Sequence, residues 1–149
     1  MYSNVDPAHA DKDDNYPLIF DYCRPLLPVI DVVRKDHLQT GHPTPGVVRK
    51  RAFETEDIAL SQTQLDAGVV SGWHHHGERH LYGFMITGKL RLEYGKNGKE
   101  AVEVVPGDFF HIPPGLIHRD VNPGKEGKLV VVGIVVGPGP PVINVNGPD

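Results

Sequence analysis

Four histidines crowd the segment GWHHHGERHLYGFMITG at residues 72–88, namely His74, His75, His76 and His80. A neutral imidazole nitrogen binds zinc, copper, iron or nickel, so histidines that share one face can hold a transition metal. Along a strand, side chains two or four residues apart project to the same side. Parity therefore expects His74, His76 and His80 to converge, and it turns His75 away as a solvated bystander. Three imidazoles fill half of an octahedral shell, so a further ligand must come from elsewhere in the chain. The bland alternative, a polar loop that uses imidazole as solvated surface, is set against this by what a second segment contains.

That second segment is GDFFHIPPGLIHRDVN, residues 107–122. The first segment is preceded by Gly68 and five residues, then reads His74-x-His76, three residues and His80. The second reads Gly107, five residues, Pro113-x-Gly115, two residues, His118, three residues and Asn122. In this order, with a hairpin between them, the two resemble the paired motifs of the cupins, a family whose motifs line the mouth of a small β-barrel. The resemblance covers about residues 46–137. It implies an all-β fold, a cupin double-stranded β-helix or jelly-roll barrel, with an N-terminal extension at 1–45 and a C-terminal tail at 138–149.

By position, His74, His76 and His118 match the family's metal-binding histidines. Position 80 departs from the pattern, since the family usually has glutamate there, and Gly88 falls one residue late. Some cupins are similar in using a fourth histidine, so the implied ligand set is His74, His76, His80 and His118. Glu78 ranks second for the fourth place because it shares the parity of His80 and could substitute where a strand bulges. Leu81 would restore the longer spacing but cannot bind a metal. The implied cofactor is a divalent transition metal, with iron, manganese, nickel, zinc and copper all open.

The elements that must carry these residues are short strands. KLRLEY at 89–94 alternates Leu90, Leu92 and Tyr94 against Lys89, Arg91 and Glu93, as a half-buried strand does. Asn97-Gly98 follows, a hairpin signal because both residues tolerate positive φ, and a return strand is expected at about 100–105. Further strands are expected at 47–53, 58–65, 81–87, 108–113 and 128–136, and VINV at 142–145 suits an edge strand. Many short strands at this spacing point to an antiparallel sandwich or barrel. Residues 1–16 read as a polar arm, and prolines 17, 25, 28, 43 and 45 leave room only for a short helix at 27–38. Asn122 is expected to tie down a turn. Tyr82, Phe84, Phe109, Phe110 and His111 lie near the ligands in sequence, and alternation sends some into the barrel. His111 is the candidate for acid-base catalysis, with a hydrogen-bonded wall residue as the plainer reading.

At 149 residues with 39% apolar and 23% charged content, the chain suits one ordinary globular domain. A net charge of −4 offers no attraction to phosphate backbones, so no nucleic-acid partner is expected. No apolar run approaches the roughly 20 residues of a membrane span, and the acidic N-terminus is unlike a secretory signal, so a cytoplasmic location is expected. Cys23 stands alone and reads as an apolar residue. Around a divalent ion, four neutral imidazoles would leave the full charge and two adjacent positions for a chelating small molecule. The leading expectation is a metal-dependent enzyme, a dioxygenase-type oxidoreductase acting on an oxygen-rich or aromatic compound. A non-redox isomerase or lyase, and a module that binds a small ligand or metal without turnover, are the alternatives. A homodimer is expected, formed through the extension or the tail at a sheet edge.

Overall fold

The computed structural model describes residues 29–148. Among them the regular structure is eleven strands and two short 3-10 turns. The strands are β1 (Gln39–Thr40), β2 (Val48–Glu54), β3 (Ile58–Leu65), β4 (His74–His75), β5 (His80–Thr87), β6 (Leu90–Tyr94), β7 (Glu100–Val104), β8 (Phe109–Ile112), β9 (His118–Val121), β10 (Leu129–Val136) and β11 (Ile143–Asn144). They form two sheets, β1-β2-β3-β10-β5-β8 and β11-β4-β9-β6-β7, in which every pairing is antiparallel. This is the all-β double-stranded β-helix that the resemblance implies.

Alternation decides which side chains enter the space between the sheets. On β6, Leu90 and Leu92 are buried, and on β5 Gly83 and Met85 are buried while His80, Tyr82 and Ile86 are exposed. The apolar core is built from Leu65, Met85, Leu90, Leu92, Val104, Ile112, Leu129 and Val131, with Leu81 and Phe110 packed against it. Burying such side chains contributes about 1.5–3 kcal/mol each, which is what holds two sheets together.

The hairpin between β6 and β7 forms where Asn97-Gly98 predicts it. Both residues adopt positive φ, 57° and 66°, but Tyr94 pairs with Glu100, so five residues bridge the strands where a type I′ turn needs two. Gly95, also at positive φ, lengthens the loop. The short helix expected at 27–38 shrinks, within the described residues, to a 3-10 turn at Lys35–His37. Adjacent β-branched residues, Val32 and Val33, oppose helix at its start. The polar arm and Cys23 lie outside the described residues. The tail contributes β11, which pairs with β4 at the sheet edge.

Asn122 ties the second motif to the rest of the barrel. It is 3% exposed, and its side-chain amide donates to the carbonyls of Leu65 (3.0 Å) and Gly127 (3.2 Å) while its oxygen accepts from the Gly124 amide (3.0 Å). Asn122→Ala is expected to cost about 1–3 kcal/mol, because it removes three hydrogen bonds at once, one of them to the buried Leu65 carbonyl. Urea unfolding of the variant checks this, and a loss below about 0.5 kcal/mol would show that the bonds do not matter.

Candidate metal centre

His74 opens β4 and His118 opens β9, and the register of these two strands sets them directly opposite one another. His76 lies one residue beyond β4. Their ring centroids stand 4.3 Å (His74 to His118), 5.5 Å (His74 to His76) and 5.1 Å (His76 to His118) apart. One ring nitrogen from each lies within 4.8 Å of the others. All three side chains are buried, at 0%, 2% and 2% exposure.

Backbone carbonyls decide which nitrogen faces inward. Nδ1 of His74 donates to the Gly72 carbonyl (2.9 Å), Nδ1 of His76 to Pro141 (2.8 Å) and Nδ1 of His118 to Leu116 (2.8 Å). A carbonyl only accepts, so each Nδ1 must carry the proton and each Nε2 must present a lone pair. Nε2 of His74 and of His76 are buried without a hydrogen-bond partner. A buried acceptor left unsatisfied costs about 1–3 kcal/mol, and three lone pairs turned toward one point are what a cation satisfies. The residues present therefore fit a divalent metal, by donor chemistry and by the orphaned nitrogens together.

Burial favours the neutral form of two of these rings. Burial pushes His74 down to about 4, with Asp120 pulling the other way and His118 and Arg49 deepening the depression. Burial likewise pushes His76 down to about 3, helped by His118 and opposed by its bond to Pro141. Neutral imidazole is the metal-binding form, so neither ring must shed a proton to bind at neutral pH.

Asp120 is the neighbour that the sequence reading passes over. It follows His118 by two residues on β9, shares its inward face and is 8% exposed. Its Oδ2 stands 3.9 Å from Nε2 of His74, and its Oδ1 stands 3.9 Å from Nε2 of His118. The signal was parity with His118, the same rule that groups His74 with His76. Burial alone would raise the Asp120 carboxyl, but His74, His118, Arg49 and His76 together hold it below its usual value. Arg49 reaches this region from β2, with Nη1 donating to the His42 carbonyl (2.8 Å) and to Thr44 Oγ1 (2.7 Å).

His80 does not join the cluster, which corrects the four-histidine set. Parity from His76 to His80 assumes one continuous strand, but β4 ends at His75 and the chain turns at Gly77, whose φ of 60° suits glycine. His80 then begins β5 in the other sheet, where it is exposed and paired with Val136. Glu78, the second choice, is exposed in the same turn. His111 is corrected as well: it sits on the outer face of β8, with Nε2 2.9 Å from Nδ1 of His80 and its ring stacked on Tyr82. The plainer reading of His111, a hydrogen-bonded wall residue, describes this placement. Leu81 and Ile112 pair on the inner face instead. His75 accepts a bond from the Gly77 amide (3.0 Å).

His74 and His118 are the one paired position of β4 and β9, and the chain before β4 extends the contact through a Val70–Val121 bridge and a Ser71–Asp120 backbone bond. Neighbouring side chains add a contact. The Arg119 guanidinium lies 4.6 Å from the centre of the Trp73 ring, a cation–π contact that joins the residue before His74 to the residue after His118. Glu93 on β6 anchors Arg119 at 2.7 Å.

The sequence profile of the family described as the cupin domain matches residues 62–136. No curated protein matches the chain. Among solved structures, it is similar to an uncharacterized conserved protein with a double-stranded β-helix domain from Klebsiella pneumoniae subsp. pneumoniae MGH 78578. The identity is 19% over 79% of this chain and 99% of that one, with a TM-score of 0.62. The polyketide cyclase RemF from Streptomyces resistomycificus is 18% identical over 78% of this chain and 86% of that one, with a TM-score of 0.64. Oxalate decarboxylase OxdC from Bacillus subtilis is 22% identical over 72% of this chain and 30% of that one, with a TM-score of 0.59. At these identities the likeness establishes the fold. Among the described residues no helix is long and apolar enough to cross a membrane.

Proposed function

The chain belongs to the cupin family, and from that membership we propose that it is a metal-dependent enzyme, a dioxygenase-type oxidoreductase acting on an oxygen-rich or aromatic small molecule. The observation that carries this reading is the convergence of three imidazoles whose outer nitrogens are fixed by carbonyls and whose inner nitrogens lack partners. A divalent transition metal held there supplies Lewis-acid polarisation of a chelated enolate, catecholate or α-keto acid, and electron transfer where the ion is redox-active. His74, His76 and His118 hold it. Leu81, Phe110 and Ile112, packed in or against the core from the other sheet, keep the interior apolar and strengthen electrostatic interactions with a bound ligand. An oxalate decarboxylase with Mn(II) centres shares the fold, which is compatible with a transition metal in this barrel.

The test pairs metal with gas. Untagged protein loaded with iron(II) is assayed in air against a panel of catechols, β-diketones and α-keto acids, and manganese- or nickel-loaded protein is assayed without oxygen. The proposal expects turnover only in air, with oxygen consumed in proportion to substrate. Oxygen-independent turnover would replace it with lyase or isomerase chemistry at the same ion. A compound that binds tightly and returns unchanged under every condition would make the protein a binding module.

A further inference from the structure

We propose that Asp120 supplies a carboxylate ligand to this centre, so that the set is three histidines and one aspartate, with the acid drawn from β9. The inference rests on the metal reading above and assigns the place that the first motif leaves open. Position 80 holds an outward histidine and Glu78 lies exposed in the turn, so the first segment contributes two ligands only.

Four observations converge on Asp120. Its backbone is locked, because its amide donates to Ser71 Oγ and its carbonyl accepts from the Ser71 amide, both at 2.8 Å. That double contact fixes the side chain's point of departure on the inner face. Each carboxylate oxygen then meets a different imidazole, Oδ2 facing His74 and Oδ1 facing His118, both at 3.9 Å. Those nitrogens carry lone pairs, since their protons reside on Nδ1, so acceptor faces acceptor with no hydrogen between them. Finally, no hydrogen bond to the carboxylate occurs among the described residues, and Arg49 directs Nη1 to His42 and Thr44.

A buried carboxylate without a hydrogen bond or close cation is expensive, and removing it from water costs several kcal/mol. With the Asp120 side chain turned toward the three nitrogens, one ion would satisfy all four acceptors together. Ligand atoms at about 2.1 Å from an ion, separated by 90–120°, stand about 3.0–3.6 Å apart. The 3.9 Å spacings, made by two different oxygens, therefore need to close by about 0.3–0.9 Å, and because Asp120 stands outside the group of atoms within 4.8 Å of one another that the three histidines form, its side chain must rotate toward them to reach a shared ion. With the carboxylate in place, a divalent centre retains one net positive charge instead of two.

Cobalt(II) is the probe, because its visible absorption reports ligand type and number without any turnover. Metal-free wild type, Asp120→Asn, Asp120→Glu and His118→Ala are titrated against a competing chelator, and circular dichroism confirms that each is folded. Wild type is expected to take up one equivalent. Asp120→Asn should bind about 100-fold more weakly or worse, with an altered d–d spectrum, because loss of a ligand should exceed the 10–100-fold typical of outer contacts. Asp120→Glu, which keeps the carboxylate, should recover part of the affinity. Affinity and spectrum of Asp120→Asn equal to wild type, with His118→Ala unable to bind, would overturn the assignment of Asp120 and leave the histidine centre standing. Failure of wild type itself to bind would overturn both.

Discussion

His118→Ala is expected to abolish stoichiometric metal binding, whereas His80→Ala retains one equivalent. The two histidines look alike in sequence, each within a motif, but the fold treats them oppositely. His118 is 2% exposed and faces His74 across the single paired position of β4 and β9. Its removal takes away one of three converging nitrogens and should weaken affinity by more than about 100-fold, beyond what changes outside the ligand set produce. His80 is exposed and hydrogen-bonded to His111 on the outer face, so its loss leaves the inner nitrogens in place. Elemental analysis of untagged protein after dialysis decides the matter. Full retention by His118→Ala, or loss by His80→Ala, would reject the three-histidine centre.

The metal-free protein is expected to lose stability sharply as pH falls from about 6.5 toward 4. In the unfolded chain His74 and His76 titrate near 6.5, while in the fold they are held at about 4 and about 3. Below 6.5 the unfolded state binds more protons than the native state, so the equilibrium shifts toward unfolding. Each such histidine costs about 1.4 kcal/mol per pH unit in that window. Shared interaction with Asp120 reduces the sum, and a loss on the order of 2–4 kcal/mol by pH 5 follows. Above pH 7 the two rings contribute no slope. Asp120 adds a lower phase, because its depressed carboxyl stabilises the fold above the unfolded value near 3.9 and loses that contribution as pH falls further. Urea midpoints of metal-free protein between pH 7.5 and 5 measure the effect, and a flat profile would contradict the buried neutral rings. Saturating metal should hold the midpoint up until protons outcompete the ion.

The two-sheet barrel was legible because half-buried strands write their burial into the sequence. IALSQTQL reads as a strand over 58–65 and is one, β3, at those residues. KLRLEY shows its alternation openly, and its inner leucines are core. The histidine cluster was legible too, since parity and the second motif select His74, His76 and His118, which the fold brings together. Illegible was the place where the chain changes sheets. Gly77 and Glu78 form a turn, so the spacing of two and then four that groups His80 with His74 and His76 crosses a break in the strand. The late Gly88 was the one trace of that break, because it fits the motif only if Leu81, which pairs inward with Ile112, takes the position given to His80. Asp120 needed no break to be found, since it repeats the spacing of His74 and His76 two residues beyond His118.

The centre lies where β4 meets β9 at one paired position, with the chain before β4 continuing along β9 through Ser71 and a Val70–Val121 bridge. Everything between His76 and His118, including the whole hairpin of β6 and β7, is a loop whose ends meet there. An ion gripping both ends would act as a reversible covalent-like staple. Cross-linking a loop of roughly 40 residues removes about 4 kcal/mol of freedom from the unfolded chain. Metal supply would then set not only whether the site can act but what share of the chains stays folded, tying the protein's abundance to the availability of one ion.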